Sequence, residues 1–307
     1  MRQTSLDMVY ELAKRDPRVV FIGSDLGPGT LKKFKAEMPE RYFMEGVSEA
    51  NVIGMAAGLA LDGFIPYINT IATFLTRRCY EQVAVDLCLH KLPVRLIASG
   101  GGLVYAPLGP THLATEDIAI MRALPNMTVV VPADAQEMTR LMPATLDVLG
   151  PMYIRLAKGG DPIVTAPEDG FTLGRAILKR KPGEVLLVST GIMLGRMLNV
   201  ADTLAAEGVQ CGVLHVPTIK PLDAGTILDL AGRVRLIVTA EEHTLTGGLG
   251  SAVIELLVDR LPGPLPRIKR LGLPDAFTTE YGSQDSLLET CGLGPSTILT
   301  AVREALA

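Results

Sequence analysis

The densest group of residues that could do chemistry lies at positions 45–60. Its polar members, Glu49 and Asn51, lead into a run of almost wholly small and apolar residues. This pattern predicts a helix over 49–61, with Glu49 in its first turn. A carboxyl group there has two interpretations: it can hold or release a proton in catalysis, or the helix dipole simply favours it. Small residues of this helix would let another backbone approach closely: Gly54, Ala57 and Gly58.

Two other side chains have the chemistry of a substrate site. His112 is one of four histidines and follows a Gly-Pro turn outside any predicted element; imidazole exchanges protons near neutral pH. Arg155 ends a predicted strand at the carboxyl edge of the sheet, where ligands bind in α/β proteins. A structural ion pair is the alternative for Arg155.

Familiar catalytic signatures of α/β proteins are missing from the sequence. There is no P-loop, no G-x-S-x-G elbow and no H-E-x-x-H motif. The glycine run at 247–250 lacks the third glycine of a dinucleotide fingerprint and is interpreted as a turn between a strand and a helix. The four cysteines have no C-x-x-C or other metal spacing. The Glu49 region is therefore the remaining candidate for a catalytic site.

Composition narrows the class of protein. The 307 residues are 48% hydrophobic and 20% charged, with a net charge of −4 and a mean hydropathy of +0.31. The balance predicts a globular chain, and the spread of both charge signs argues against nucleic acid as the main partner. The longest apolar run, 52–61, is about half a membrane span, and the polar start shows no signal peptide. We therefore expect a cytoplasmic protein that buries apolar surface against partner chains.

Strand and helix patterns alternate along the chain, which is typical of a parallel sheet flanked by helices. The sequence predicts an α/β fold of two domains, 1–165 and 166–307, each a mostly parallel sheet flanked by helices. Predicted strands are 19–22, 66–68, 94–97, 128–131, 152–155, 185–188, 211–214, 236–238 and 267–269. Predicted helices are 5–14, 49–61, 79–90, 116–123, 135–149, 194–206, 250–260 and 295 to the C-terminus. Ser5 and Asp134 are predicted N-caps.

Four segments, in the same order and spacing, resemble the transketolases and related thiamine diphosphate enzymes. The first, 46–49 with the helix after it, resembles the helix start in their pyrimidine-binding domain. The others are 73–75 with 80–82, the Gly-Pro-Thr-His of 109–112, and 241–250, which resembles the transketolase C-terminal domain. The resemblance covers nearly the whole chain and implies both domains of the predicted fold.

The resemblance implies a set of cofactor contacts. Glu49 would hydrogen-bond N1′ of the thiamine pyrimidine and drive its amino group toward the imino tautomer, which then removes the thiazolium C2 proton. Phe74 and Tyr80 would form an aromatic wall. Asp25, for which a loop cap is the alternative, and Leu26 would lie near the thiazolium ring. The predicted cofactor contacts are Asp25, Leu26, Val47, Glu49, Phe74 and Tyr80.

The resemblance also implies substrate contacts, with departures from the family pattern. His112 would be catalytic and face the donor sugar, and Arg155 would anchor a sugar phosphate. Leu108 stands where an acidic residue is common and Gly100 where a histidine is common. Gly29 replaces a frequent serine, and Arg77 a frequent aromatic residue. The resemblance therefore implies the transfer of a two-carbon ketol unit between sugar phosphates, and it leaves the identity of the sugars open.

A Gly-Asp-Gly motif, which in the family helps to bind the metal of the diphosphate, does not occur in the sequence. The resemblance therefore implies the C-terminal half of a split transketolase. An N-terminal-half partner chain would supply the diphosphate site and its Mg²⁺, in an assembly of two copies of each chain. Alternatives are the beta subunit of a 2-oxo acid dehydrogenase, a deoxyxylulose-phosphate synthase-like enzyme, and a scaffold subunit without catalysis.

Overall fold

The computed structural model describes residues 1–24, 31–157 and 159–306. Seven strands form its first sheet: β1 (Val19–Ser24), β2 (Tyr42–Glu45), β3 (Ile65–Ile71), β4 (Arg95–Ser99), β5 (Thr128–Val130), β6 (Met152–Leu156) and β10 (Thr218–Lys220). Their order is β10-β5-β6-β4-β3-β1-β2, and all neighbours are parallel except β10 and β5. Five strands form the second sheet: β7 (Ile177–Arg180), β8 (Val185–Ser189), β9 (Cys211–His215), β11 (Leu236–Thr244) and β12 (Arg267–Leu273). Their order is β12-β11-β8-β9-β7, with only β7 antiparallel to its neighbour.

Helices connect these strands. Those of the first half are α1 (Arg2–Arg15), α2 (Lys32–Glu37), α3 (Glu49–Leu61), α4 (Ala72–Thr76), α5 (Tyr80–Gln82), α6 (Asp117–Ala123) and α7 (Ala135–Ala144). A π-helical turn, Val83–Leu89, directly continues α5. Those of the second half are α8 (Met193–Ala206), α9 (Ala224–Ala231), α10 (Leu249–Arg260), α11 (Gln284–Thr290) and α12 (Pro295–Leu306).

One hydrophobic core runs through both halves of the chain. Val52 and Ile53 of α3 pack in the same cluster as Leu96 of β4 and, from the second sheet, Val188 and Ile237. The strand β10, which follows the predicted boundary, also joins the first sheet rather than the second. The two halves are therefore packed as one body, and the division at 165/166 stays a prediction.

The predicted fold class is confirmed, since both sheets are mostly parallel and flanked by helices. All predicted strands are present, and the predicted helix 49–61 has the bounds of α3. The Asp134 cap is also confirmed, because its carboxylate accepts the Glu137 N–H at 2.9 Å. Most elements absent from the prediction are short and carry too few residues for a periodic signal: β2, β7, β10, α2, α4, α9 and α11.

Several predicted helix ends were wrong. Ser5 is no N-cap, because α1 begins at Arg2 and the Ser5 hydroxyl donates to the Arg2 carbonyl inside the first turn. The predicted helix 79–90 is divided into α5 and the π-helical turn, and α7 ends at Ala144 instead of 149. No helix in the described ranges is both long enough and apolar enough to span a bilayer.

Candidate functional site

Three of the predicted site residues, Glu49, Phe74 and His112, lie where parallel strands of the first sheet end. Helix α4, with Phe74, directly follows β3, and the loop that leads to His112 follows β4. Helix α3 begins shortly after β2, which places Glu49 at the same edge. The carboxyl edge of such a sheet is where α/β proteins bind ligands.

Glu49 is buried with half of its carboxylate unsatisfied. The side chain is 1% exposed, and its Oε2 accepts a hydrogen bond from Arg78 Nη1 at 2.8 Å. Its Oε1 is buried without a hydrogen-bond partner among the described residues. An unsatisfied buried acceptor costs about 1–3 kcal/mol. This oxygen is therefore well suited to receive a hydrogen bond from a ligand.

Arg78 and Phe74 together connect Glu49 to His112. The Arg78 guanidinium lies over the Phe74 ring, 4.1 Å from its centroid. The His112 ring meets the same phenyl ring edge-on, with 5.3 Å between centroids. The Thr111 hydroxyl lies 2.9 Å from His112 Nδ1 and orients the imidazole. The structure thus brings Glu49, Phe74 and His112 together in one group.

Arg78 is the member of this group that sequence reasoning missed. Its neighbour Arg77 stands out in the sequence, because that position departs from the family pattern. In the structure Arg77 turns to Glu116 instead and forms an ion pair with it. Burial raises the pKa of Glu116, but the Arg77 contact outweighs it and the pKa is lowered. Two adjacent arginines give no sequence signal that tells which one reaches the site.

The remaining predicted cofactor contacts are placed less centrally. Val47 precedes α3 and is 66% exposed. Tyr80 is half-buried, and its hydroxyl donates to the Ile120 carbonyl at 3.0 Å, which ties it to α6. Asp25 and Leu26 lie outside the described residues. The cofactor contacts of all four therefore stay predictions.

The cysteine next to the site, Cys79, has an unreactive thiol. Cys79 is fully buried between α4 and α5. Burial raises the pKa of its thiol to about 12, and the negative charge of Glu49 acts in the same direction. A thiol with this pKa is protonated at neutral pH, so Cys79 is not poised as a nucleophile.

Arg155 forms a structural ion pair, the alternative to phosphate binding that was predicted for it. Its side chain is 6% exposed, and its Nε donates to Asp117 Oδ2 at 2.8 Å. The Tyr153 hydroxyl donates to the same oxygen at 2.7 Å. Burial lowers the pKa of the Arg155 guanidinium, but Asp117 and Glu242 outweigh it and the pKa is raised. Phosphate binding by Arg155 stays a prediction.

Two adjacent glutamates on β11, Glu241 and Glu242, hydrogen-bond to different segments of the chain. Glu241 accepts the N–H groups of Leu249 and Gly250 at 2.6 and 2.8 Å, and so holds the start of α10. The glycine run there is a turn from strand to helix, as predicted. Glu242 instead accepts the N–H of Leu103, which belongs to the loop before His112. Burial raises the pKa of both carboxyls.

Two family models match the chain. Residues 1–160 match "Transketolase, pyrimidine binding domain", and residues 174–298 match "Transketolase, C-terminal domain".

Curated relatives agree with these matches. The 6-deoxy-6-sulfo-D-fructose transketolase subunit SqwH of Clostridium sp. (strain MSTE9) is 39% identical over 99% of this chain and 94% of its own length. The 1-deoxy-D-xylulose-5-phosphate synthase of Heliobacterium modesticaldum (strain ATCC 51547 / Ice1) is 35% identical over 98% of this chain. The chain spans 46% of that longer protein.

Solved structures are similar as well. One described as "Split gene transketolase, inactive beta4 tetramer" has a TM-score of 0.91 and 36% identity, with 99% of this chain and 97% of that chain covered. A transketolase from Campylobacter jejuni subsp. jejuni NCTC 11168 has a TM-score of 0.78 and 19% identity, over 99% of this chain and 46% of its own. At that identity the second likeness concerns the fold alone.

Proposed function

The chain belongs to the transketolase family, and from this premise we propose that it is the C-terminal subunit of a split transketolase. The complete enzyme would transfer a two-carbon ketol unit from a ketose phosphate to an aldose phosphate. The observation that carries this proposal is the buried Oε1 of Glu49, which has no partner among the described residues, while Oε2 binds the Arg78 side chain that lies over the Phe74 ring. The likeness to a transketolase subunit over nearly the full length of both chains supports it.

The residues of the site fit an aminopyrimidine. Thiamine diphosphate, when bound, supplies a thiazolium carbon that carries the two-carbon unit. Glu49 Oε1 offers a buried group for a ring nitrogen, and Phe74 offers an aromatic surface. Val47 and Tyr80 are further proposed contacts of the cofactor. Asp25 and Leu26 are proposed as contacts of its thiazolium ring.

Glu49 and His112 are the proposed proton-transfer groups. Glu49 holds or releases a proton at Oε1, while Arg78 fixes the carboxylate through Oε2. His112 exchanges a proton with a sugar hydroxyl through Nε2, the ring nitrogen that the Thr111 contact does not use. Arg155 is proposed to act on the sugar phosphate from its buried pair with Asp117.

Two alternatives remain open. A deoxyxylulose-phosphate synthase-like enzyme is favoured by several relatives of that name, although the chain spans only 43–47% of their lengths. It would share Glu49 and differ in the loop before His112. A scaffold subunit is disfavoured, because Glu49, Phe74 and His112 are all present and lie in one group with Arg78.

The proposed partner is a chain that binds the diphosphate and Mg²⁺, in an assembly of two copies of each subunit in the cytoplasm. Large apolar side chains are exposed on and around α3 and the π-helical turn: Val47, Leu61, Val85 and Leu89. Gly54 and Gly58 on α3 have open space where a Cβ would stand. A partner surface that covers this face would bury the exposed apolar area.

We expect the isolated chain to bind thiamine diphosphate weakly or not at all. The diphosphate and metal ligands are assigned to the partner, and no cluster of three or more metal-ligating side chains occurs among the described residues. Titration calorimetry with Mg²⁺ on the chain alone and on the co-purified complex, with its mass checked by sedimentation, measures this. Tight, magnesium-dependent binding by the chain alone would contradict the split enzyme.

We expect the assembled enzyme to prefer a sugar other than xylulose 5-phosphate as donor. Leu108 is 49% exposed and cannot accept a hydrogen bond from a sugar hydroxyl. At Gly100 (φ +78°) a Cβ would clash with the Tyr105 ring, so this ring occupies the space of the usual side chain. Each lost hydrogen bond to a buried hydroxyl is worth about 1–3 kcal/mol.

A ketol-transfer assay over a panel of sugars measures this preference. The panel contains xylulose 5-phosphate, ribose 5-phosphate and 6-deoxy-6-sulfofructose, the sugar named for one relative. Leu108→Asp is the matched variant, and it should improve activity with xylulose 5-phosphate. If the wild type uses xylulose 5-phosphate and ribose 5-phosphate as well as any other member, the inference from the loop is wrong.

A further inference from the structure

The loop of residues 100–112 is held at its start by the second half of the chain. Leu103 donates its backbone N–H to Glu242 Oε1 at 2.9 Å. The Gln284 side chain, at the start of α11, donates to the same oxygen at 2.8 Å. Glu242 is 3% exposed, so this is a buried, charge-assisted contact between the two halves.

Steric fit shows how closely Glu242 lies against the loop. Gly102 has φ +66°, and a Cβ there would clash with the Glu242 carboxyl group. The Gly102 N–H donates to the Ala114 carbonyl at 2.9 Å, and the Ala114 N–H returns to the Gly102 carbonyl at 3.1 Å. The backbone that Glu242 contacts is therefore paired directly with the far end of the loop, next to His112.

The end of the loop has a second contact with the same half. Gly109 has φ +76°, and a Cβ there would lie 2.6 Å from Cε1 of Tyr281. The carbonyl of Gly109 accepts the His112 N–H at 3.0 Å. Tyr281 thus packs on the turn that sets the backbone of His112.

We propose that Glu242 is a positioning residue, through which the C-terminal half sets the loop 100–112 and the place of His112 against Phe74. Glu242 acts on the loop through the backbone of Leu103 and Gly102, and its charge also lies near the Arg155 guanidinium. The consequence for substrate handling rests on the proposed function, whereas the ordering of the loop does not.

The neighbouring carboxylate provides a matched control. Glu241 lies one residue earlier on β11, is equally buried, and also accepts backbone N–H groups. Its hydrogen bonds stay within the second half, at the start of α10. Glu242→Ala and Glu241→Ala therefore remove similar buried groups, and only the first releases the loop.

Hydrogen–deuterium exchange of the isolated chain, followed by mass spectrometry, tests the ordering. Glu242→Ala should speed exchange in the 100–112 segment about tenfold, and Glu241→Ala should leave that segment unchanged. Glu242→Gln should behave like the wild type, because its amide oxygen can still accept the Leu103 N–H. Equal exchange in the 100–112 segment for Glu242→Ala and the wild type would overturn the proposal.

If Glu242→Ala fails to fold, a variant with a smaller effect on packing tests the same proposal. Gln284→Ala removes the partly buried amide that holds Glu242 and leaves the carboxylate in place. It should raise exchange in the same segment by about threefold. Wild-type exchange in a folded Gln284→Ala protein would then be the contradicting result.

In the assembled enzyme, Glu242→Ala should raise KM for the sugar and lower kcat about tenfold. Cofactor C2–H exchange, which depends on Glu49, should stay at the wild-type rate. Loss of the C2–H exchange itself would contradict a role confined to the loop. If the complex has no ketol-transfer activity, the proposed function fails, while the exchange measurements on the chain alone still decide the role of Glu242.

Discussion

Glu49→Gln should lower turnover of the assembled enzyme by about 10²–10⁴-fold. The substitution keeps the size of the side chain and leaves an amide oxygen that can accept the Arg78 hydrogen bond. Cofactor binding should therefore survive, and calorimetry checks that it does. An amide cannot hold and release a proton as a carboxyl can, so exchange of the thiazolium C2 proton should slow as well.

The C2–H exchange rate is the sharper of the two measurements, because turnover also falls when packing is disturbed. Glu184→Gln is the control: it makes the same substitution on a carboxylate that is 53% exposed and paired with Arg235, away from the site. That variant should exchange the proton at the wild-type rate. If Glu49→Gln does so too, Glu49 is only a carboxylate at a helix start.

Asp117→Ala should lower the free energy of unfolding by about 3–5 kcal/mol. The substitution leaves the Arg155 charge buried without its partner, and the Tyr153 hydroxyl loses its acceptor. Removing one member of a buried ion pair is costly because the remaining charge cannot reach water. Urea denaturation followed by circular dichroism measures the loss.

Two further variants separate this cause from a general effect of removing an aspartate. Asp229→Ala breaks the pair with Arg233, in which both side chains are more than half exposed, and it should cost little. The double variant Asp117→Leu with Arg155→Met replaces both charges by apolar groups and should recover much of the stability. Equal losses of unfolding free energy for Asp117→Ala and Asp229→Ala would show that the buried ion pair contributes no more to stability than the exposed one.

Patterns local in the sequence were predicted well. The helix 49–61 was found with the bounds that the structure shows, because an acidic residue in the first turn is followed by an unbroken run of small, apolar residues that is too long for a strand. The central strands were found because buried parallel strands are short apolar runs with clear ends. Glu49 was chosen from its place at the start of that helix, and the structure adds the unsatisfied oxygen.

Contacts between distant residues were decided by the tertiary structure alone. Arg78 rather than Arg77 reaches Glu49, 29 residues away. Glu242 reaches the Leu103 N–H across 139 residues. Arg155, expected to meet a phosphate, is paired with Asp117. The sequence by itself determined the order of the long helices and central strands and the acid at the helix start, since these follow from local spacing. The family followed from the resemblance of four segments to transketolases. Which charges meet depends on side-chain directions after the sheets have packed, and no local pattern encodes those.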